Sequence, residues 1–213
     1  MQYKKYCNKI LPRRLYIVED YNDVNLNSKK NMLVIHPEDQ TTSMLKGLYE
    51  GAVCTLISKP LSRRDMRRLL RETEPNERVL LLGHGSANGL FHREDPSSAQ
   101  FDSFIISHAH AYPLRKHGAN LVGIWCHAAD FARRERLQGL FSGMIISDME
   151  EAQQYHVHTT QEELDRENIK LVERLRSLLD EGISLREIPQ RMLELDDAHT
   201  PLTEFNYKNF YYL

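Results

Sequence analysis

The chain has 213 residues, 41% of them hydrophobic, enough for one full core with room for a helical appendage. A formal net charge of −2 and a pI of about 6.6 give no general attraction to nucleic acid or to an anionic membrane surface, and no apolar run approaches the length of a membrane span. Three cysteines, Cys7, Cys54 and Cys126, are sparse and odd in number, which argues against a disulfide framework and reads as thiols in a reducing, cytoplasmic compartment.

The N-terminal segment carries lysines but no apolar stretch of signal-peptide kind. Within residues 1–30, "LYIV" reads as an accessory strand or part of an arm. "MLVIH" from residue 32, closed by Pro37, is a buried strand, and "EDQTTSMLKGLYEG" is a helix with Met44, Leu45 and Leu48 on one face and Gly51 at its end. "AVCTLIS" (52–58) is a β-branched strand, "LSRRDMRRLLRE" after Pro60 a basic helix, and "RVLLLGH" the next strand. The basic clusters at 62–68 and 132–136 have acidic neighbours and read as solvated helix faces. Residues 85–102 read as a loop and 101–118 as partly helical. "NLVGIWC" is a strand, "HAADFARRERL" a helix, "LFSGMIIS" strand-like and "DMEEAQQYH" a helix. The clearest helix follows: Thr160 caps it, Glu163 stands in capping-box position and Gly182 stops it. "SLREIPQRMLEL" is a shorter helix, and the aromatic tail "FNYKNFYYL" packs on the body. This alternation predicts an α/β fold with a mainly parallel sheet, whose functional groups belong at the carboxyl ends of the strands.

His84 and Cys126 both fall at such ends. A thiol attacks as thiolate or with a base beside it, and histidine is the side chain suited to that task near neutral pH. Adjacent strand ends, about 5 Å apart, can bring the two together. Gly85 then leaves a backbone N–H open to hold a developing oxyanion. Each residue alone has an ordinary reading, a buried inert cysteine and a His-Gly turn.

Together, "LLLGHGSANGLF" and "GIWCHAADF" resemble the caspase-like cysteine peptidases, a group that includes caspases, metacaspases, gingipains, clostripain, legumain and separase. With "VIHPEDQTTSMLKGLY" and "LQGLFSGMIISDMEEA", the likeness spans roughly residues 32–155 and extends to uncharacterised bacterial proteins with caspase-like cores. His84 precedes Cys126 by 42 residues, close to the about 50 of caspases. Caspases carry Gln-Ala before their cysteine and metacaspases an Asp; Ile124-Trp125 stands here. The resemblance implies a caspase-like three-layer sandwich in a single domain, 1–213, with its core at about 32–155 and extra C-terminal helices at about 156–213. It implies a cysteine endopeptidase with His84 as base, Cys126 as nucleophile and Gly85 as oxyanion donor, needing no cofactor. Its partners would be a protein or peptide substrate and a small-molecule or protein activator, with restraint by such a partner or by the loop 86–102. The alternative is a non-catalytic binding or regulatory module on the same scaffold.

In that family the strand after the cysteine borders the P1 pocket, and here "MIIS" runs into Asp148. Asp148 is therefore a candidate for binding a cationic P1 side chain, against a role as helix cap; Glu150 and Glu151 read as helix-opening acids. His127 reads as a surface or supporting group, and His108, His110 and His117 as scattered histidines, since no cysteine or carboxylate stands at zinc spacing. "LLLGHGS" also resembles a strand of tetrapyrrole chelatases, which leaves "GIWC" unexplained. G-x-S-x-G, P-loop and G-x-G-x-x-G patterns are missing, which argues against a serine hydrolase or nucleotide site of those kinds.

Overall fold

The computed structural model describes residues 15–17, 32–37, 39, 41–93 and 101–213. Its strands are β1 (Leu15–Ile17), β2 (Met32–Ile35), β3 (Cys54–Ile57), β4 (Arg78–Leu82), β5 (Gly85–Ser86), β6 (Gly89–His92), β7 (Ser103–Ser107), β8 (Leu121–Ile124), β9 (Leu140–Ser142) and β10 (Phe210–Tyr212). The helices are α1 (Arg63–Glu72), α2 (His108–Leu114), α3 (Ala128–Glu135), α4 (Met149–Gln154), α5 (Gln161–Asp180), α6 (Ile188–Glu194) and α7 (Pro201–Lys208). The main sheet has the order β1-β3-β2-β4-β8-β9-β10 and is parallel except for β10.

The central strands read as unbroken apolar runs because both faces of the sheet are covered. Side chains alternate between the faces. Val34, Leu80, Leu82, Val122 and Ile124 join one core with Leu171, Leu175 and Leu178 of α5. Leu33, Ile35, Val79, Leu81 and Leu121 join the other with Met66, Leu69 and Leu70 of α1 and Phe131 of α3. The C-terminal segment set apart in the sequence thus supplies helices of one face and an edge strand of the sheet.

Four local expectations change. The helix expected over 38–51 is a 3-10 segment, Ser43–Leu48, with Leu45 and Leu48 buried on one face. Gly47 lets α5 come close; a Cβ there would meet Val172 Cγ1 at 2.8 Å. The expected loop 85–102 contains β5 and β6, which with β7 form a three-stranded antiparallel sheet, Leu90 and Ile106 facing inward. Residues 94–100 of that loop, most of the N-terminal arm and Cys7 lie outside the described residues. "LFSGMIIS" is strand only over Leu140–Ser142: Gly143, opposite Asn209 in the β9–β10 register, donates a last bond to Asn209 O at 2.8 Å, and the strand ends there. The aromatic tail forms α7, capped by Thr200, and then β10, with Tyr211 opposite Phe141. The α5 cap is as expected at Thr160, which accepts from Glu163 N at 3.2 Å, but the Glu163 carboxylate takes the Thr159 hydroxyl at 3.0 Å. No helix among the described residues is long and apolar enough to cross a membrane.

Burial first, with Lys46 adding to it, pushes the His36 ring down to about 4, and burial does the same for His110. Folding therefore holds both rings neutral, while the unfolded chain protonates near the ordinary 6.5. Between these values the unfolded chain binds more protons, so stability falls as pH falls through the window. His36 alone contributes on the order of 3 kcal/mol to that loss. We expect Tm to drop steeply between pH 6.5 and 4.5, and His36→Gln to flatten the drop; a wild-type Tm that stays level across the window contradicts this account.

Candidate active site

The carboxyl ends of β2, β4 and β8 lie at one edge of the sheet. The register pairs Ile35 with Leu81 and Leu82 with Ile124. The chain turns away from β2 toward β3 on one side, while β4 and β8 follow on the other, so a crevice opens where the strand order reverses. Gly83, at φ +137°, takes a conformation L side chains rarely adopt, and its N–H extends the ladder to Ile124 O at 3.1 Å. His84 and Cys126 follow directly on these neighbouring strands. Both line one small cleft of about 30 Å³, with Thr42, Leu45, Trp125 and Ser147 among its walls. That is room for about one water.

One nitrogen of the His84 ring is committed. Nε2 lies 2.6 Å from Thr41 Oγ1 and 3.3 Å from Asp39 Oδ1. The Thr41 hydroxyl donates to Asp39 Oδ1 at 2.6 Å, and Thr41 N–H donates to the same oxygen at 2.9 Å. The other carboxylate oxygen is 3.2 Å from Arg93 Nη1. Burial alone would raise Asp39, but the Thr41 hydroxyl, the His84 charge and Arg93 outweigh it and hold the carboxyl below its ordinary value. Phe101 packs beside His84, ring centroids 5.5 Å apart, stacks on Phe91 at 4.5 Å and carries Arg93 over its face at 4.1 Å.

Cys126 is held by its neighbours. Trp125 N–H donates to Ser142 Oγ at 3.0 Å, that hydroxyl returns a bond to Trp125 O at 2.9 Å, and the indole N–H donates to Ser86 O at 3.1 Å. His127 then adopts a left-handed conformation, φ 66°, which breaks the strand and opens α3. The Cys126 thiol is pushed up to about 12, by burial first and then by the charges of Glu151 and Asp148; backbone hydrogen bonds from Cys126 itself and Ile145 pull the other way. The resting sulfur is a thiol.

Gly85 is opposite Leu90 in the β5–β6 ladder. Phe91 N–H donates to His84 O at 2.7 Å, so residues 84 and 91 form a hydrogen-bonded pair and 85 and 90 a non-hydrogen-bonded one. The ladder therefore does not use the Gly85 N–H. A Cβ at Gly85 would stand 2.1 Å from Trp125 Cδ1 and 2.5 Å from Gly89 O. Gly85→Ala should cost about 1–3 kcal/mol, the range for overpacking, because Gly89 O is backbone and cannot swing aside. Chemical denaturation checks this, and an unchanged midpoint contradicts it.

Asp148 caps α4, accepting from Glu151 N at 2.8 Å, so the helix-cap role is present in the geometry. Glu151, a plain helix-opening acid by its sequence position, is half-buried, and its Oε2 accepts from Ser147 N at 2.7 Å and Ser147 Oγ at 2.9 Å. Burial raises its carboxyl above the ordinary value, and its charge acts on both Cys126 and His84. His127 is half exposed and pairs with Asp130 at 3.1 Å. His108 pairs with Glu135 at 2.7 Å, His110 Nδ1 accepts from Ser107 N at 3.1 Å as part of a helix cap, and His117 contacts Leu70 O at 3.1 Å. No group of three or more metal-type side chains is gathered among the described residues.

Sequence reasoning did not single out Asp39, Thr41, Arg93 or Glu151. A signal for the first two was present, since "HPEDQTT" follows a strand and places polar groups at its carboxyl end. Arg93 and Glu151 depend on contacts between distant segments. Compared with models of known protein families, with curated proteins and with solved structures, the chain matches none of them.

Proposed function

We propose that the chain is a caspase-like cysteine endopeptidase, with the sheet and its two helical layers as the three-layer sandwich of that group. The observation that carries this reading is the meeting of Cys126 and His84 in one cleft, at the carboxyl ends of adjacent parallel strands. Engagement of His84 Nε2 leaves Nδ1 as the nitrogen to accept a proton. As the thiol S–H bond breaks, its proton passes to Nδ1 and the sulfur electron pair attacks the peptide carbonyl carbon. The Gly85 N–H helps hold the resulting oxyanion. The imidazolium returns the proton to the leaving amine, the C–N bond breaks, and a thioester remains. Water, deprotonated by His84, hydrolyses the thioester to a carboxylate and restores the thiol. This chemistry requires no cofactor. Asp148 and Glu151 offer charge complementarity to an arginine or lysine at P1.

The high Cys126 thiol value also favours a second reading, a binding or regulatory module whose dyad is unused. On the first reading, a bound cationic substrate or an activator neutralises the acids beside the sulfur and makes it easier to ionise. Cleavage of a peptide library by wild type and Cys126→Ala side by side separates the two. Cleavage by wild type that the variant loses supports the peptidase; peptide binding without cleavage by either supports the module.

A further inference from the structure

We propose that Asp39, acting through the Thr41 hydroxyl, is a positioning residue that fixes the tautomer of His84 with its proton on Nε2 and its lone pair on Nδ1. This rests on the Cys126–His84 reading, in which Nδ1 serves the sulfur. The Thr41 hydroxyl lies 2.6 Å from both Asp39 Oδ1 and His84 Nε2. A hydroxyl has one hydrogen to give. Asp39 is an ionised carboxylate and can only accept, so the hydrogen goes to Asp39 and the oxygen accepts from the ring. Nε2 must then carry the proton. The direct approach of Asp39 Oδ1 to Nε2, 3.3 Å, favours the same tautomer. It also favours the imidazolium that forms when the thiol gives up its proton.

Asp39 is built for a fixed orientation. Its side chain is 7% exposed, against 18% for the His84 side chain. Oδ1 receives the Thr41 hydroxyl and N–H, and Oδ2 faces Arg93, which is itself packed on Phe101. The carboxylate thus links the turn after β2, the histidine after β4 and the end of β6. Other charges also reach His84: Glu151 from α4 and His36 from the end of β2. A pH–rate profile would mix all of these. The tautomer does not, because Thr41 and Asp39 are the groups that hydrogen-bond the ring nitrogen.

The test uses full-length protein labelled with 15N-histidine, with the His84 signals assigned by their loss in His84→Gln. At a pH where the ring is neutral, wild type should show the Nε2–H tautomer. Asp39→Asn should show a mixture or the Nδ1–H form, and its kcat for peptide cleavage should fall about 10²-fold, the lower end of general-base contributions, with KM nearly unchanged. Asp39→Glu should restore part of both. Thr41→Val should shift the tautomer in the same direction as Asp39→Asn but less, because Asp39 Oδ1 still lies 3.3 Å from Nε2, and Thr41→Ser should match wild type; Thr41 is exposed, so this pair tests the idea even if Asp39→Asn does not fold. A wild-type Nδ1–H tautomer, or an unchanged tautomer in folded Asp39→Asn and Thr41→Val, overturns the proposal. If wild type cleaves no peptide, the peptidase reading fails, while the ring spectra still decide whether Asp39 sets His84.

Discussion

Cys126→Ala is expected to abolish peptide cleavage while leaving the Tm within a few degrees of wild type. In the proposed mechanism the sulfur is the atom that bonds to the substrate, and water in its place has no comparable nucleophilicity or alignment. The side chain lies past the last ladder pair of β8, in a cleft of about 30 Å³, outside the two apolar cores of the sheet. Losing it therefore creates little new cavity. His84→Ala should cost about 10²–10⁴-fold in kcat, the span of general-base catalysis. Its effect on the fold should be the larger of the two, because the ring braces Thr41 and Asp39. Cleavage by Cys126→Ala at the wild-type rate would end the peptidase reading. A Cys126→Ala loss that tracks unfolding in near-UV circular dichroism would contradict the retained fold expected of this variant.

The main sheet was legible in the sequence because its strands are buried on both faces. "MLVI", "VLLL" and "LVGI" need no partner to declare themselves, and the glycines and polar residues that follow mark their carboxyl ends. His84 and Cys126 could be paired on that basis, since each stands at the end of such a run. The second sheet was not legible. β5 has two residues, β6 has four and β7 is half exposed, so "GSANGLFH" carries glycine signals that a loop would also carry. The tail was read as aromatic packing because β10 has three residues, and its place is set by pairing with β9 far upstream. The supporting shell of the site was hidden for the same reason. Asp39 and His84 are 45 residues apart and Arg93 is 54 from Asp39, so no local pattern joins them. Glu151 looked like any acid in the first turn of a helix. What distinguishes it is the Ser147 backbone that bends to meet its carboxylate.

Removing the charge at position 151 should separate recognition from reactivity. The negative charge of Glu151 is the largest after burial among the influences that keep Cys126 protonated, and Asp148 adds to it. Glu151→Gln keeps an acceptor for Ser147 N–H and Oγ–H and removes the charge. The thiol should then ionise more readily, and each unit of lowering is worth about tenfold in thiolate at a pH below its value. We expect alkylation of Cys126 by iodoacetamide at pH 8 to rise about 3–10-fold in the unliganded protein. Cleavage after arginine should move the other way, because a P1 guanidinium loses a carboxylate to pair with. Asp148→Asn provides the matched control for position 148. Asparagine caps a helix about as well as aspartate, so α4 should stay capped and Tm should change little. Alkylation should rise modestly, and cleavage after arginine should fall far more than alkylation changes. A role for Asp148 confined to capping predicts an unchanged P1 preference in Asp148→Asn and a Tm loss only in Asp148→Ala. Slower alkylation in Glu151→Gln would show that its charge does not govern the sulfur. A wild type that prefers aspartate or an apolar residue at P1 would remove the acids from substrate recognition altogether.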